Sequence, residues 1–365
     1  MMIKIRFRIH LENYNVHELL RSGVIFNKWL PDGANDAINV PVNHATNKLQ
    51  IWFERRGYLE NSFIRYDHQR SEVDPAVMTR QGKLEAGPLR GEAVFTSVSN
   101  EELIAVKEGL VGSEEYLALG KRIIEFLYPP LSNFISILRT QYGQYWLQKL
   151  DSWDSRKQSL GDYCRSTLDL LWSEDGEQWD RFAPTELQAM VYVSKLPGRG
   201  YEEYLTKADW ECLSNSFNPY ESPSLAAVIL GRAHEFYDSG ELRQSFVEGV
   251  TALEVALSEY VSKKLVHHPQ TLVAASNILN DSKTGVQEKF TWVSAISGLI
   301  SDEAFAKTIE AIKTRNDIIH KGFMPNVSAG KALRVLFETV KVFLCLDEYK
   351  FPVLTNSNML NAPDK

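Results

Sequence analysis

The chain is predicted to fold as an α+β N-terminal domain, rich in strands but holding helices, followed by an all-α helical bundle. Three observations carry this. From Met1 to about Arg90, short runs of β-type residues alternate with turn signals. Beyond Pro223 the apolar residues recur at helical spacing, with hardly a strand signal before the tail. Between the two, Asn218-Pro219-Tyr220-Glu221-Ser222-Pro223 places two prolines among polar residues, the mark of a linker. The 365 residues suit about two domains of 100–200 residues each. Residues 1–217 and 223–350 are therefore expected as domains, with residues 351–365 as a polar tail.

The opening strand is the clearest element. Ile3, Ile5, Phe7, Ile9 and Leu11 alternate with Lys4, Arg6, Arg8, His10 and Glu12, the period of two that a half-buried strand needs. The same alternation excludes a secretory leader, which requires a continuous apolar run. Val24 to Leu30, Val40 to Val42, Leu49 to Phe53 and Gly91 to Val98 are further strand candidates, with a turn at Pro31-Asp32-Gly33.

Helices follow. Ser113 to Tyr128 carries Tyr116, Leu117, Ile123, Ile124 and Leu127 on one face. Pro129-Pro130 is expected to end or kink it, because proline lacks the amide hydrogen that a helix uses. A separate helix over Leu131 to Tyr142 should come next. Leu170-Leu171-Trp172 and Trp179 to Phe182 flank Glu174-Asp175-Gly176-Glu177 as a β-hairpin. Thr185 to Val193 and Thr206 to Phe217 read as helices. Seven of the eight tryptophans lie before Asn218. They serve core and hairpin packing, or else an exposed aromatic surface that recognises a base or a partner protein.

Five helices are expected in the second domain. Ser224 to Asp238 turns Leu225, Ile229 and Phe236 inward. Glu241 to Val266 carries Val247, Val250, Leu257 and Val261 along a seam. Thr271 to Leu279 and a following segment, Val286 to Leu299, make the third. Ser301 to Lys321 begins at a serine cap, with Asp302 and Glu303 favouring the positive helix end. Ser328 to Asp347 carries Leu333, Leu336, Val340, Phe343 and Leu344.

Composition excludes several classes. The net charge of −7 and pI near 5.7 argue against a protein that coats nucleic acid, though not against a local basic site. Cys164, Cys212 and Cys345 are far apart and odd in number, so neither a disulfide framework nor a zinc site is expected. No run is apolar enough for a membrane span, and a cytoplasmic location is expected. His267-His268 before Pro269 lack ligand partners at metal spacing and read as a loop.

The residues that carry chemistry close the fourth helix, in Thr314-Arg315-Asn316-Asp317-Ile318-Ile319-His320-Lys321-Gly322. Phe305, Ile309, Ile312 and Ile319 give that helix an apolar side, and Gly322 and Pro325 stop it. A guanidinium and an imidazole at a helix end suggest work on an anion. At ~100° per residue Asn316 and His320 share a face, whereas Arg315 and His320 diverge by about 140°. On a helix regular through His320 the two do not converge on one small ligand. They converge if the helix loosens at its end, or if a second copy of the chain supplies the other half. Glu254 lies on the seam of the second helix, seven residues from both Val247 and Val261. A carboxylate among apolar neighbours needs a partner. It is expected to orient Arg315 or His320, unless it lies at the seam edge and reaches water.

Arg315-Asn316 with His320, in Arg-x-x-x-x-His spacing at a helix end, resembles the motif of the HEPN family. The stretches Tyr237 to Ser245 and Thr251-Ala252-Leu253-Glu254 add to the likeness, which covers roughly residues 222–348. The resemblance implies a helical bundle that pairs as a homodimer, with both motifs facing a shared cleft. It implies a metal-independent endoribonuclease with an RNA substrate and no cofactor, of the kind found in phage defence and toxin-type stress responses. Arg315 and His320 would be the catalytic pair, Asn316 a polar aid and Glu254 a supporting acid. The N-terminal domain would sense a trigger, a target or an antitoxin. Other members bind nucleotides or dimerise without catalysis, and that is the alternative. The plainest reading makes Arg315 an ion-pair partner of Glu254 and His320 a helix cap.

Overall fold

The order of the elements follows from a computed structural model, which describes residues 1–9, 13–14, 21–22, 24–27, 29–42, 48–53, 83–86, 89–145, 147, 149–182, 204–264, 273, 277–281, 283–325 and 329–344. The chain divides into two units, Met1–Pro223 and Ser224–Lys365. The expected helix over Thr185 to Val193, most of Thr271 to Leu279, His267-His268, Cys345 and the tail lie outside the described residues.

The first unit is built on a six-stranded antiparallel sheet. Its strands are β1 (Ile3–Ile9), β5 (Ile38–Val40), β6 (Lys48–Phe53), β8 (Leu89–Phe95), β9 (Asp169–Ser173) and β10 (Asp180–Arg181), in the order β10-β9-β1-β8-β6-β5. Short pairs join β2 (Asn13–Tyr14) to β3 (Arg21–Ser22), and β4 (Val24–Asn27) to β7 (Lys83–Ala86). Alternation decides which face is covered. Ile3, Ile5, Phe7 and Ile9 are buried, while Lys4, Arg6 and Arg8 point the other way. The register pairs Ile5 with Ala93 on one side and Trp172 on the other, so the apolar rows run across the sheet.

Helix α2 (Glu114–Thr140) lies in the same apolar core as the sheet. It runs unbroken through Pro129 and Pro130, against the expectation of two separate helices. Pro129 is exposed, and the residues around it bury Ile123, Ile124, Leu127, Leu131 and Phe134. Each such side chain contributes about 1.5–3 kcal/mol, so their sum outweighs the cost of about 3 kcal/mol per interior proline. Leu117, expected on the apolar face, is exposed.

The remaining helices of this unit are α1 (Asn100–Lys107), α3 (Leu160–Ser166) and α4 (Lys207–Ser216). Thr206 caps α4 in a capping box with Asp209. Phe26, Phe53, Phe134 and Trp210 then cluster with ring centroids 5.6–6.4 Å apart. The hairpin of β9 and β10 forms as expected, with Gly176 at φ 91° in its turn.

The second unit contains α5 (Leu225–Asp238), α6 (Leu242–Lys264), α7 (Val286–Ser297), α8 (Asp302–Lys321) and α9 (Gly330–Phe343). The Ser245 hydroxyl donates to the Ala233 carbonyl at 2.7 Å and ties α6 to α5. Gly249 lets α6 approach α9: a Cβ there would lie 3.1 Å from Leu336 and Phe337. Thr308 of α8 and Thr339 of α9 share a buried hydrogen bond of 2.9 Å. Leu225 is exposed rather than inward; Ala226, Ile229, Leu230 and Ala233 form the covered face of α5 instead. Among the described residues no helix is long and apolar enough to cross a membrane.

Candidate functional site

Helix α8 begins at Ser301, whose hydroxyl accepts from the Ala304 amide, and ends at Gly322 with φ 66°. The Gly322 and Phe323 amides both donate to the Asp317 carbonyl, closing the last turn. The Lys321 ammonium lies 2.7 Å from the Asp317 carboxylate. The helix is therefore regular through His320, and the loosening that would have let Arg315 and His320 converge within one chain does not occur.

The covered face of α8 differs from the expected one. Thr308, Ala311, Ile312 and Ile318 are buried, whereas Ile319 is 47% exposed and Phe305 and Ile309 are half-buried. At ~100° per residue this turns the face by about a quarter turn, and Arg315 falls on its midline. Arg315 is accordingly half-buried. Its Nη1 donates to Asn316 Oδ1 at 3.1 Å, and its Nε is shielded from water without an acceptor among the described residues. His320 lies on the opposite side and is exposed.

Glu254 is paired, but not as expected. Its carboxylate accepts from Lys289 Nζ at 2.8 Å, rather than from Arg315 or His320. Lys289 sits on α7 with its side chain 9% exposed, and Glu254 is 39% exposed at the seam edge. The long lysine stem is itself apolar, so it threads the packing and delivers its charge to the nearest carboxylate. Sequence reading missed Lys289 because a single lysine on an amphipathic helix looks like any other.

Two further features surround the end of α8. Phe323 and Met324 are 45% and 69% exposed, and with Ile319 they leave apolar side chains uncovered within four residues of His320 in the chain. Arg243 of α6 reaches the Met324 sulfur at 3.7 Å, which brings a second guanidinium to this end of the bundle. Elsewhere, burial, with Asp169 adding to it, pushes the Cys164 thiol up to about 12, so it is no nucleophile at neutral pH. Among the described residues no group of His, Cys, Asp and Glu has the arrangement of a metal site.

Comparison of the chain with protein-family models, with curated proteins and with solved structures gave no match.

Proposed function

We propose that the C-terminal unit is a HEPN-type module that cuts RNA without a metal, acting as a homodimer in the cytoplasm. The observation that carries this is the divergence of Arg315 and His320 on a helix regular to Lys321. Their side chains leave the helix axis about 140° apart, and a two-fold axis beside the helix end can bring Arg315 of one copy to His320 of the other. The exposed Ile319, Phe323 and Met324 supply apolar surface for such a contact. In the composite groove the RNA 2′-oxygen attacks the adjacent phosphorus and the bond from phosphorus to the 5′-oxygen breaks. His320 moves a proton between these oxygens. The Arg315 guanidinium, steadied by Asn316, donates to the phosphate oxygens as charge builds on them. The N-terminal unit then supplies recognition of a target, trigger or inhibitor.

The test is complementation. Arg315→Ala and His320→Ala chains, each alone, are expected to lose RNA cleavage by about 100-fold or more in the presence of chelator. Co-expressed as a mixed dimer they regain it, because one of the two grooves is whole. Cleavage that survives either change, or fails to return on mixing, overturns the shared groove.

A second reading rests on the Glu254–Lys289 pair and the midline position of Arg315. Here the module binds or dimerises without catalysis, and Arg315 holds the helix end in shape. Wild-type protein that cuts no RNA, with dimer mass lost in Arg315→Ala, favours this reading.

A further inference from the structure

The face of the six-stranded sheet opposite its buried apolar row gathers positive charge. On β1, Lys4, Arg6 and Arg8 all point to it. The register sets Arg90 of β8 beside Arg8, and continues the Lys4 row through Val94 to Lys48 of β6. Arg181 of β10 pairs with Leu171 at the edge of the Arg6 row. Among the described strand residues of this face, Glu92 and Asp169 are the acidic ones. A chain of net charge −7 thus concentrates cations on one surface, against its overall sign.

Aromatic rings accompany those cations. Trp52 stands next to Arg90 in the register. Trp179 lies against Arg6, with the guanidinium carbon 3.9 Å from the ring centroid. Both partners of this stack are held. The Trp179 indole donates to the Gly176 carbonyl at 3.0 Å, and Arg6 Nε donates to Glu92 at 3.0 Å. Lys4 closes the same end by donating to the Asp175 carbonyl at 3.0 Å. Gln50 and Asn39, joined at 2.7 Å, continue the Arg6 row with exposed amide groups.

We propose that this sheet face binds single-stranded RNA. Cations spaced along neighbouring strands can follow a phosphate backbone, and fixed rings or guanidinium planes can receive unstacked bases. The amides of Gln50 and Asn39 offer hydrogen bonds to base edges. A sheet face inserts no element into a duplex groove, which favours single strands over double. The inference concerns the N-terminal unit and does not depend on catalysis by the C-terminal one.

Fluorescence anisotropy on the full chain carrying His320→Ala, with a labelled mixed-sequence single-stranded RNA, tests it. Trp179→Ala is expected to weaken binding about ten-fold, within the range for loss of one stacking platform. Arg181→Ala, at an exposed edge position, is expected to weaken binding and lower the slope of log K against log salt by about one. Should Trp179→Ala disturb the hairpin, seen as a lowered Tm, the Arg181 variant decides. No binding at low salt, binding unchanged by Arg181→Ala, or equal affinity for duplex RNA overturns the proposal.

Discussion

Lys289 of α7 holds its ammonium 2.8 Å from the Glu254 carboxylate of α6, and the two ends of the pair live in different surroundings. The lysine side chain is 9% exposed and the glutamate 39%. Removing the acid strands a charge inside the bundle; removing the base leaves a carboxylate that water can reach. Glu254→Gln is therefore expected to destabilise the unit by about 1–2 kcal/mol. That is less than the roughly 3–5 kcal/mol for a fully enclosed pair, because Glu254 is partly solvated. Lys289→Met should be neutral or stabilising. Urea unfolding of both variants checks this, and equal losses would show that the pair is a net source of stability.

Gly322 closes the helix that carries His320. A Cβ built on it meets nothing within 4 Å, so the cost of any side chain there is the backbone's alone. With φ at 66°, Gly322→Ala is expected to cost about 1 kcal/mol, and Gly322→Asn less, since asparagine tolerates this region. Thermal midpoints of the two variants test it. An alanine variant as stable as the parent would mean that the last turn ends in another way.

His234 makes stability depend on pH. Its ring centroid lies 4.2 Å from that of Phe337, and its Nε2 is shielded from water. Burial first, and Lys341 second, hold its pKa well below the usual 6.5. The folded state therefore binds this proton less readily than the unfolded chain, and the unfolded state gains as protons become available. The stability that His234 confers is present above pH 6.5 and is lost as pH falls from there toward its folded pKa. Between pH 7.5 and 5.5 the Tm is expected to fall, and His234→Gln should flatten that slope. A profile that keeps its slope in the variant assigns the pH dependence to other groups.

Local signals were legible where one short stretch decides the outcome. Alternation in Ile3, Ile5 and Phe7 marked a strand and its covered face, and Thr206 and Ser301 marked helix starts. Pro129-Pro130 misled, because proline states a local cost while the flanking apolar residues hold a larger, distant gain. Ile318 and Ile319 misled in the same way. Neighbouring isoleucines leave the helix face open by about one position, and the packing of α6, α7 and α9 against it selects the face.

The amino-acid order alone determined that the first unit opens as sheet, that the described part of the second is helical, and that α8 stops beside His320, because periodicity and caps act within a few residues. Tertiary structure alone decided that Glu254 meets Lys289 and that Arg315 lies on the covered face, turned away from His320. Which cation reaches a carboxylate depends on where separate helices cross, and that is fixed by the summed burial of many side chains rather than by any one motif.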